Sequence, residues 1–361
     1  MGNILLLGGT GAIGSQAAIK LSHMGHSVYV TSRSSKISLP EGVSLLTGNA
    51  LDDTFVKASI SSITQGLDAI VDFMVYPTEH FQKRVRLLID STAHYIFLSS
   101  GRVYAQSDTP LVETSPRLLD IASDPQYLLT DEYALAKARQ EDILCALNEH
   151  NWTIIRPYIT FGDGRLQLGT LEAQIWLWRA LHGLPVALPA VIMDKFTTMT
   201  SSYDVGSIIA TLVGNEEAHG EVFNVATEEA RTWTDIANIY RTVIPLDISP
   251  IPATRFTTFM HNNAQVFYDR ALNRRFSTKK VSDLIGGWEY QGLHKTLSMT
   301  LSNTISNLDI SPDLRGNAAM DALTKSHSGL GSGSISNQLH YFVRKHPRLQ
   351  AITQTIRGGR D

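Results

Sequence analysis

Three evenly spaced glycines near the N-terminus place the strongest constraint on how this chain can fold. Gly8, Gly11 and Gly14 stand between a short apolar run, residues 3–7, and a segment with apolar residues at helical spacing. A strand that passes through a glycine turn into a helix is typical of a pyrophosphate site. Glycine permits close approach of the backbone, and the helix N-terminus offers unpaired N–H groups. The spacing therefore predicts a phosphate-binding turn, with a purely structural turn as the alternative.

Strand-like and helix-like segments alternate through the first third of the chain. Runs of β-branched, aromatic and apolar residues predict strands, and apolar residues at helical spacing predict helices between them. Strands separated by helix-length connections indicate βαβ units. The predicted fold class is α/β, a Rossmann-type doubly wound parallel sheet. The predicted strands are residues 3–7, 27–31, 43–46, 67–75 and 94–99, and the predicted helices are residues 14–25, 81–90 and 131–147.

Composition narrows the class of protein. The 361 residues are 43% hydrophobic and 18% charged, which supplies a core and excludes global disorder. A formal net charge of −3 argues against nucleic acid as the main partner. A single cysteine, Cys145, excludes a disulfide framework and a Cys-cluster zinc site, and the histidines show no metal-like spacing. No stretch approaches the ~18 consecutive apolar residues of a membrane span. We therefore expect a cytoplasmic protein without a metal or a membrane partner.

The residues after the second predicted strand bear on the choice of dinucleotide. NAD-preferring sites place an acidic residue there, about 20 residues beyond the glycines, to hold the ribose 2′-hydroxyl. No acidic residue precedes Glu41 in this chain, and the strand instead runs into Ser32 and Arg33. An arginine beside hydroxyls suits a 2′-phosphate, so NADP is the favoured cofactor and NAD the alternative. A solvated arginine in a polar loop is the other interpretation of Arg33.

The segment after the fifth predicted strand carries the candidate chemistry. Ser100 lies at the carboxyl edge of the sheet, where open α/β folds bind ligands. Tyr133 and Lys137 lie four residues apart on the predicted helix, so both project from one face. A lysine ammonium group beside a phenol favours the phenolate and lowers the tyrosine pKa, which lets Tyr133 exchange a proton with an alcohol or ketone. Taken alone, a Tyr-x-x-x-Lys pair is more often a chance pair of surface residues.

Five sequence patterns together resemble one known family, the extended short-chain dehydrogenases/reductases. Within it the chain is similar to the NAD(P)-dependent epimerase/dehydratase group, which acts mostly on nucleotide sugars. The matching patterns occur in the family's order and cover roughly residues 1–300. They are GGTGAIG (8–14), LSSGRVYA (98–105), YALAK (133–137), IIRPYITFG (154–162), and TSSYDVGSIIATLV (200–213) followed by GEVFNVA (220–226).

The resemblance implies roles for individual residues. Tyr133 is expected to be the general acid/base, and Lys137 to orient the cofactor ribose and lower the tyrosine pKa. Ser100 matches the catalytic Ser/Thr of the family. Pro157 and Tyr158 are expected to lie along the nicotinamide.

The expected cofactor site extends over several segments. Asn49 stands where the family often has an adenine-contacting Asp, a departure that leaves the adenine contact open. The expected cofactor-binding residues are Gly8, Thr10, Gly11, Ala12, Ile13, Gly14, Ser32, Arg33, Asn49, Ala50, Phe73, Met74, Ser99, Tyr133, Lys137, Pro157 and Tyr158.

The residues after Ser100 bear on the reaction type. The family's sugar-nucleotide 4,6-dehydratases carry an Asp-Glu pair there, and this chain has Gly101 and Arg102, which disfavours dehydration by that route. With Arg33, this favours an NADPH-dependent reductase of a nucleotide ketosugar. An NAD-dependent nucleotide-sugar epimerase that recycles its cofactor is one alternative. A non-catalytic dinucleotide-binding or RNA-associated protein on the same fold is another.

Three regions are expected along the chain. Residues 1–163 would form the dinucleotide-binding domain, residues 164–306 mainly a smaller substrate-binding lobe, and residues 307–361 an extension of unknown role. In the lobe the pattern predicts helices at residues 168–183 and 232–241, and Arg165, Arg179, Lys195 and Arg255 are candidates to meet a substrate diphosphate, although each is more often a surface charge. A Gly/Ser-rich flexible linker is expected at residues 326–336, before a basic end at residues 337–361. The resemblance also implies a homodimer formed through the helices at residues 81–90 and 131–147.

Overall fold

The structure is a computed structural model, and it describes residues 1–331 together with residues 341, 342 and 345. The strands are β1 (Asn3–Leu7), β2 (Ser27–Ser32), β3 (Val43–Thr47), β4 (Leu67–Asp72), β5 (Thr92–Leu98), β6 (Trp152–Pro157), β7 (Thr160–Phe161), β8 (Gln167–Leu168), β9 (Leu171–Glu172), β10 (Val186–Pro189), β11 (Phe196–Thr198), β12 (Thr200–Ser201), β13 (Glu221–Val225), β14 (Ala230–Thr232) and β15 (Ile248–Ile251). The helices are α1 (Ala12–His23), α2 (Asp53–Ser62), α3 (Thr78–Ile89), α4 (Leu118–Ile121), α5 (Pro125–Leu128), α6 (Tyr133–Cys145), α7 (Trp176–Leu181), α8 (Ser202–Leu212), α9 (Trp233–Arg241), α10 (Ala253–Met260), α11 (Asn263–Gln265), α12 (Lys279–Leu284), α13 (Leu293–Asn307) and α14 (Leu314–Thr324).

A seven-stranded sheet organises the first of two units, which comprises residues 1–162, 198–230 and 274–293. The strand order is β13-β6-β5-β4-β1-β2-β3, and every neighbouring pair is parallel. The order reverses at β1, which lies between β2 and β4. Ligands of such sheets bind beyond the carboxyl end of the strands at this reversal, where the glycine turn lies. The predicted fold class, a doubly wound parallel α/β sheet, is confirmed.

Alternate side chains of β1 enter two different cores. Ile4 and Leu6 pack with residues of α1 and α8, and Leu5 and Leu7 pack with residues of α2, α3 and α6. All four side chains are fully buried. A parallel strand covered on both faces needs apolar residues at every position, and each buried leucine or isoleucine contributes about 1.5–3 kcal/mol. The unbroken apolar run therefore fixes β1 at the centre of the sheet.

The fourth strand is shorter than the sequence predicts. β4 ends at Asp72, whereas the predicted strand continues to Val75. The carboxylate of Asp72 accepts a hydrogen bond of 2.9 Å from the N–H group of Met74, which turns the chain at this point. An Asp side chain that binds a backbone group two residues on competes with strand pairing.

In the second unit, comprising residues 163–197, 231–273 and the described residues from 294 onward, the predicted helix at residues 168–183 is wrong over its first half. β8 and β9 pair antiparallel around Gly169, which adopts a φ of +60°. A left-handed glycine ends strand or helix geometry and makes a tight turn, so α7 begins only at Trp176. The helix predicted at residues 232–241 is present as α9, and Thr232 caps it in a reciprocal arrangement with Asp235.

Arg179 of this unit is not a surface cation or a free diphosphate ligand. Its side chain is fully buried, and its Nη1 atom donates a 2.9 Å hydrogen bond to Asp321, which is also buried. Ser326 and Ser328 donate to the same carboxylate at 2.9 and 2.7 Å. Burial alone would raise the pKa of Asp321, but hydrogen bonds from Tyr341, Ser328 and Arg179 hold that pKa at about 2. The ion pair joins α7 to α14.

The predicted flexible linker therefore begins with residues that are held in place. Residues 332–336 of that linker, and most of the basic end at residues 337–361, lie outside the described residues. None of the helices in the described part of the chain combines the length and apolar character that a membrane crossing requires.

Candidate active site

The glycine turn has the geometry of a close-approach site. Gly8 adopts a φ of +70°, and its N–H group donates a 2.8 Å hydrogen bond to the hydroxyl of Thr31. A Cβ atom added at Gly14 would lie 2.5 Å from the carbonyl oxygen of Gly9, so α1 packs on the turn at a distance that glycine alone allows. A Cβ atom added at Gly11 would meet nothing within 4 Å. The turn is thus tight beside the helix and open beside Gly11.

The N-terminus of α1 is suited to an anion. Gly11 is its N-cap and has no side chain to bind the first N–H groups, and the first turn, which includes Ala12 and Ile13, contains no acidic residue. Unpaired N–H groups and the positive end of the helix dipole favour a phosphate at such a place. The residues present therefore fit the pyrophosphate of a dinucleotide.

A cavity of about 450 Å³ opens beside this turn. It is formed by residues at the carboxyl ends of four adjacent strands, β1 to β4. Seven of the predicted cofactor-binding residues line it: Gly8, Thr10, Ser32, Arg33, Asn49, Ala50 and Met74. Sequence reasoning did not select five further lining residues, Thr31, Ser34, Gly48, Leu51 and Val75, although their positions at the ends of predicted strands or within five residues after them could have indicated them.

The cavity is lined by an arginine and by several hydroxyl and amide groups. Among the described residues that line it, Arg33 is the charged one, and it is exposed at the end of β2. The hydroxyl of Ser32 accepts a 3.1 Å hydrogen bond from the N–H group of Ser34, which turns the chain beside Arg33. The side-chain oxygen of Asn49 accepts a hydrogen bond from the N–H group of Leu51. The wall thus presents hydroxyls and a guanidinium group, a set that fits a phosphorylated ribose.

The helix α6 begins at Tyr133, and Lys137 follows one turn later. Lys137 is buried, and its ammonium group donates to the carbonyl oxygens of Leu98, at 2.7 Å, and Met74, at 3.3 Å. Burial lowers the pKa of Lys137 to about 8, although nearby carboxylates oppose that effect. The structure therefore places an ammonium group at the carboxyl ends of β4 and β5. With a pKa of about 8, it is mostly protonated near neutral pH.

Arg102 contacts both Ser100 and Tyr133. Ser100 is buried and caps the short turn Gly101–Val103, where its hydroxyl accepts a 3.2 Å hydrogen bond from the N–H group of Arg102. The guanidinium carbon of Arg102 lies 5.0 Å from the centre of the Tyr133 ring. Sequence reasoning noted Arg102 only as a departure from the dehydratase pattern. Its contact with Tyr133 depends on how the turn packs on α6.

A buried ion pair joins α6 to β6. Arg156 donates two hydrogen bonds of 2.8 Å to Glu141 of α6, and both residues are buried. The hydroxyl of Ser99 donates to Glu141 as well, at 2.5 Å. The side chain of Ser99, a predicted cofactor-binding residue, is thus engaged by the ion pair. A two-pronged Arg–carboxylate pair is rigid, so it fixes α6 against β5 and β6.

The buried carboxylate of Asp72 was not predicted as part of the site. It accepts hydrogen bonds from the hydroxyls of Tyr95, at 2.8 Å, and Tyr76, at 2.9 Å. Burial raises the pKa of Asp72, while hydrogen bonds and the positive charge of Lys137 lower it. A carboxylate between the apolar residues 69–71 and 73–75 was the available sequence signal.

Phe73, Pro157 and Tyr158 are among the predicted cofactor-binding residues that do not line the cavity. Phe73 directly follows β4, and its N–H group donates to the carbonyl oxygen of Leu7. Pro157 ends β6, and Tyr158, which is buried, packs its ring 5.2 Å from that of Phe276. No group of three or more His, Cys, Asp or Glu residues suited to a metal ion occurs within the described residues.

A parallel sheet with a glycine turn at its reversal, and a tyrosine and a lysine one turn apart on a neighbouring helix, define a nucleotide-binding α/β protein of the short-chain dehydrogenase type. The model of the "NAD dependent epimerase/dehydratase family" matches residues 4–226, more than half of the chain. The chain belongs to that family.

A curated relative is the "Chloroplast stem-loop binding protein of 41 kDa b, chloroplastic" of Arabidopsis thaliana. It is 26% identical over 249 residues, which are 65% of this chain and 61% of the relative. The chain therefore spans less than two thirds of the length of that relative.

Solved structures of similar fold include two nucleotide-sugar enzymes with NAD. The UDP-glucose 4-epimerase of Thermus thermophilus superposes with a TM-score of 0.64 at 18% identity, covering 85% of this chain and 100% of that one. The dTDP-glucose 4,6-dehydratase of Bacillus anthracis superposes with a TM-score of 0.65 at 17% identity, covering 85% and 97%. At these identities the similarity concerns the fold.

Proposed function

We propose that this protein is an NAD(P)-dependent oxidoreductase that acts at a keto or hydroxyl carbon of a nucleotide sugar, as an NADPH-dependent ketosugar reductase. The observation that carries the proposal is the placement of Tyr133 and Lys137 on α6, with the lysine at the carboxyl end of β5 and Ser100 directly after that strand. The family membership and the nucleotide-sugar enzymes of similar fold support the substrate class.

The chain's own residues would handle the proton. The bound dinucleotide supplies or accepts the hydride. In the reductive direction the hydroxyl of Tyr133 gives its proton to the carbonyl oxygen as that oxygen becomes a hydroxyl, and in the oxidative direction the phenolate takes the proton back. Lys137 favours the phenolate through its positive charge. Ser100 would hold the reacting oxygen in place.

The cavity wall supports NADP as the cofactor. Arg33 and Ser32 occupy the end of β2, where an NAD site would present a carboxylate to the ribose 2′-hydroxyl. A guanidinium group pairs well with a phosphate. An NAD-dependent epimerase that retains its cofactor is the alternative within the same site, and the NAD in the similar solved structures supports it.

A stem-loop-binding role is a second candidate from a different class. The name of the Arabidopsis thaliana relative is the observation that favours it. The formal net charge of −3 weighs against a large phosphate-binding surface. A gel-shift titration with a stem-loop RNA at two salt concentrations tests it, since phosphate contacts would make binding weaken steeply with salt.

Two measurements test the proposed activity. Mass spectrometry of the gently denatured protein identifies any dinucleotide that travels with it. Stoichiometric NAD would favour the epimerase, and a site that takes up NADPH from solution would favour the reductase. UDP- and dTDP-ketosugars are then offered with NADPH, and the loss of NADPH absorbance is followed.

The Tyr133→Phe substitution separates catalysis from binding. We expect it to lower turnover by about 10²- to 10⁴-fold and to leave cofactor affinity intact. Tyr203→Phe, at a tyrosine that is 47% exposed on α8, is the matched control. Turnover that survives Tyr133→Phe unchanged would remove the catalytic proposal.

We further propose that the protein forms a homodimer through α3 and α6. These are the two helices that the family resemblance assigns to the interface, and α6 also carries the catalytic pair. Light scattering at micromolar protein concentration tests this, and a clean monomer mass would contradict it.

A further inference from the structure

Arg102 lies over the face of the proposed catalytic tyrosine. Its guanidinium carbon is 5.0 Å from the centre of the Tyr133 ring, within the range of a cation–π contact. The side chain of Arg102 is only 16% exposed, so water screens the contact weakly. Arg102 is brought there by the turn Gly101–Val103, in which the hydroxyl of Ser100 accepts the N–H group of Arg102 itself. One short turn thus determines the positions of both Ser100 and the guanidinium group of Arg102.

A carboxylate holds the guanidinium group in this position. Arg102 donates a 2.6 Å hydrogen bond from Nη2 to Oε1 of Glu132, whose side chain is 18% exposed. The other oxygen of Glu132 accepts the N–H group of Ala134 at 2.8 Å and thereby caps α6. The hydroxyl of Tyr127 donates to that oxygen too. Glu132 therefore ties Arg102 to the helix that begins with Tyr133.

We propose that Arg102 is a positioning residue for the reaction: it holds the ring of Tyr133 in place and stabilises its phenolate form, and Glu132 fixes Arg102 there. This inference rests on the proposed function, because it takes Tyr133 as the acid/base. It assigns the site a second cation besides Lys137.

The charges around Tyr133 act in opposite directions. Lys137, on the same helix, and Arg102, in the turn Gly101–Val103, favour the phenolate. Glu132, at the helix N-cap, disfavours it because like charges repel. Tyr127 of α5 contributes a neutral hydroxyl that is bound to Glu132. Removing the guanidinium charge and removing the carboxylate charge should therefore shift the ionisation of Tyr133 in opposite senses.

The test reads that ionisation directly and needs no substrate. Protein labelled with ¹³Cζ-tyrosine is titrated by NMR, and the Tyr133 resonance is identified by its loss in Tyr133→Phe. We expect Arg102→Gln to raise the pKa of Tyr133 by about half a unit to one unit, because it removes a positive charge that attracts the phenolate more strongly than the neutral phenol. Arg102→Lys should restore at least half of the shift, and Glu132→Gln should lower the pKa while its amide oxygen still caps α6.

Arg86→Gln is the matched control. It also removes one arginine from an ion pair, because Arg86 of α3 pairs with Glu149 and both side chains are exposed. Opposite shifts in Arg102→Gln and Glu132→Gln support the inference. Equal shifts of the same sign, or no shift in Arg102→Gln, would overturn it, because a merely structural ion pair would respond alike to the loss of either partner.

Failure of the inference and failure of the proposed function give different results. If nucleotide sugars turn over in a Tyr133-dependent way but Arg102→Gln leaves the pKa of Tyr133 and the pH profile of kcat/KM unchanged, the inference fails and the function stands. If the pKa shifts occur but no sugar is turned over, the proposed function fails, while the electrostatic role of Arg102 stands.

Discussion

The ammonium group of Lys137 donates a 2.7 Å hydrogen bond to the carbonyl oxygen of Leu98, the last residue of β5. Lys137 is buried at the carboxyl edge of the sheet, and this burial lowers its pKa to about 8. The carboxylates of Asp72 and Glu141 act against burial and raise the pKa of Lys137. The charge of Lys137 near neutral pH therefore depends on both of these carboxylates.

Replacing Asp72 by Asn should move the alkaline limit of activity. Without the anion, the pKa of Lys137 falls further below 8, and we expect the alkaline limb of the kcat/KM profile to shift by about one unit toward acid. Asn retains one side-chain oxygen to accept from Tyr95 and Tyr76 but loses the one that accepts the N–H group of Met74, so urea unfolding of the variant is measured beside its pH profile. Asp68→Asn, on the same strand but exposed, is the control. An alkaline limb that stays in place in Asp72→Asn would contradict this role.

Two glycines of the turn should respond differently to alanine. At Gly14 the new Cβ would lie 2.5 Å from the backbone oxygen of Gly9, so α1 must move, and we expect the free protein to lose about 1–3 kcal/mol of unfolding free energy. At Gly11 the Cβ meets nothing within 4 Å, so stability should stay within about 0.5 kcal/mol while NADPH affinity falls. Thermal denaturation and fluorescence titration measure the two effects. Unchanged affinity in Gly11→Ala would show that the pyrophosphate does not pass there.

The sequence predicts those parts of the molecule that depend on local pattern. An unbroken apolar run marks β1, and helical spacing places Tyr133 and Lys137 on one helix face. Other features arise only when distant segments meet. The ion pair of Arg179 with Asp321 joins residues 142 positions apart, and no local pattern indicates it.

Loop geometry and side-chain direction escaped prediction for the same physical reason. The turn at Gly169 divides a segment that has a continuous helical pattern. The placement of Arg102 over Tyr133 depends on the packing of a three-residue turn against α6. Both depend on tertiary packing, which overrides local propensity.

Arg33→Ala should weaken NADPH binding and leave NADH binding nearly unchanged. A charge-assisted contact to a phosphate contributes about 1.5–3 kcal/mol, so we expect the Kd for NADPH to rise by at least tenfold. Ser32→Asp should reverse the preference, because a carboxylate at this wall repels the 2′-phosphate and can hold a 2′-hydroxyl. Lys57→Ala, at an exposed lysine of α2, controls for the loss of one positive charge. Equal losses for both dinucleotides in Arg33→Ala would refute the NADP assignment.

His94 should make the protein less stable in mild acid. Its Nδ1 atom accepts the N–H group of Gly214 at 3.1 Å, and its Nε2 atom lies 2.8 Å from the hydroxyl of Thr153. Burial, with a smaller effect of His219, lowers the pKa of His94 from 6.5 to about 3. The imidazole of His94 therefore stays neutral in the folded protein at pH values below about 6.5, where it is protonated in the unfolded chain. The stabilisation is complete above that pH and is lost as the pH falls toward 3.

Between pH 6.5 and 5 this single histidine should remove about 2 kcal/mol of unfolding free energy. His94→Gln cannot titrate, so we expect it to be less stable at pH 7.5 but to show a shallower decline toward pH 5 in urea unfolding. His23→Gln, at an exposed histidine near the end of α1, should keep the slope of the parent protein. The substitution removes one proton-binding site, the imidazole that the folded protein keeps neutral. If the unfolding free energy of His94→Gln declines toward pH 5 as steeply as that of the parent protein, the acid sensitivity therefore arises from other groups.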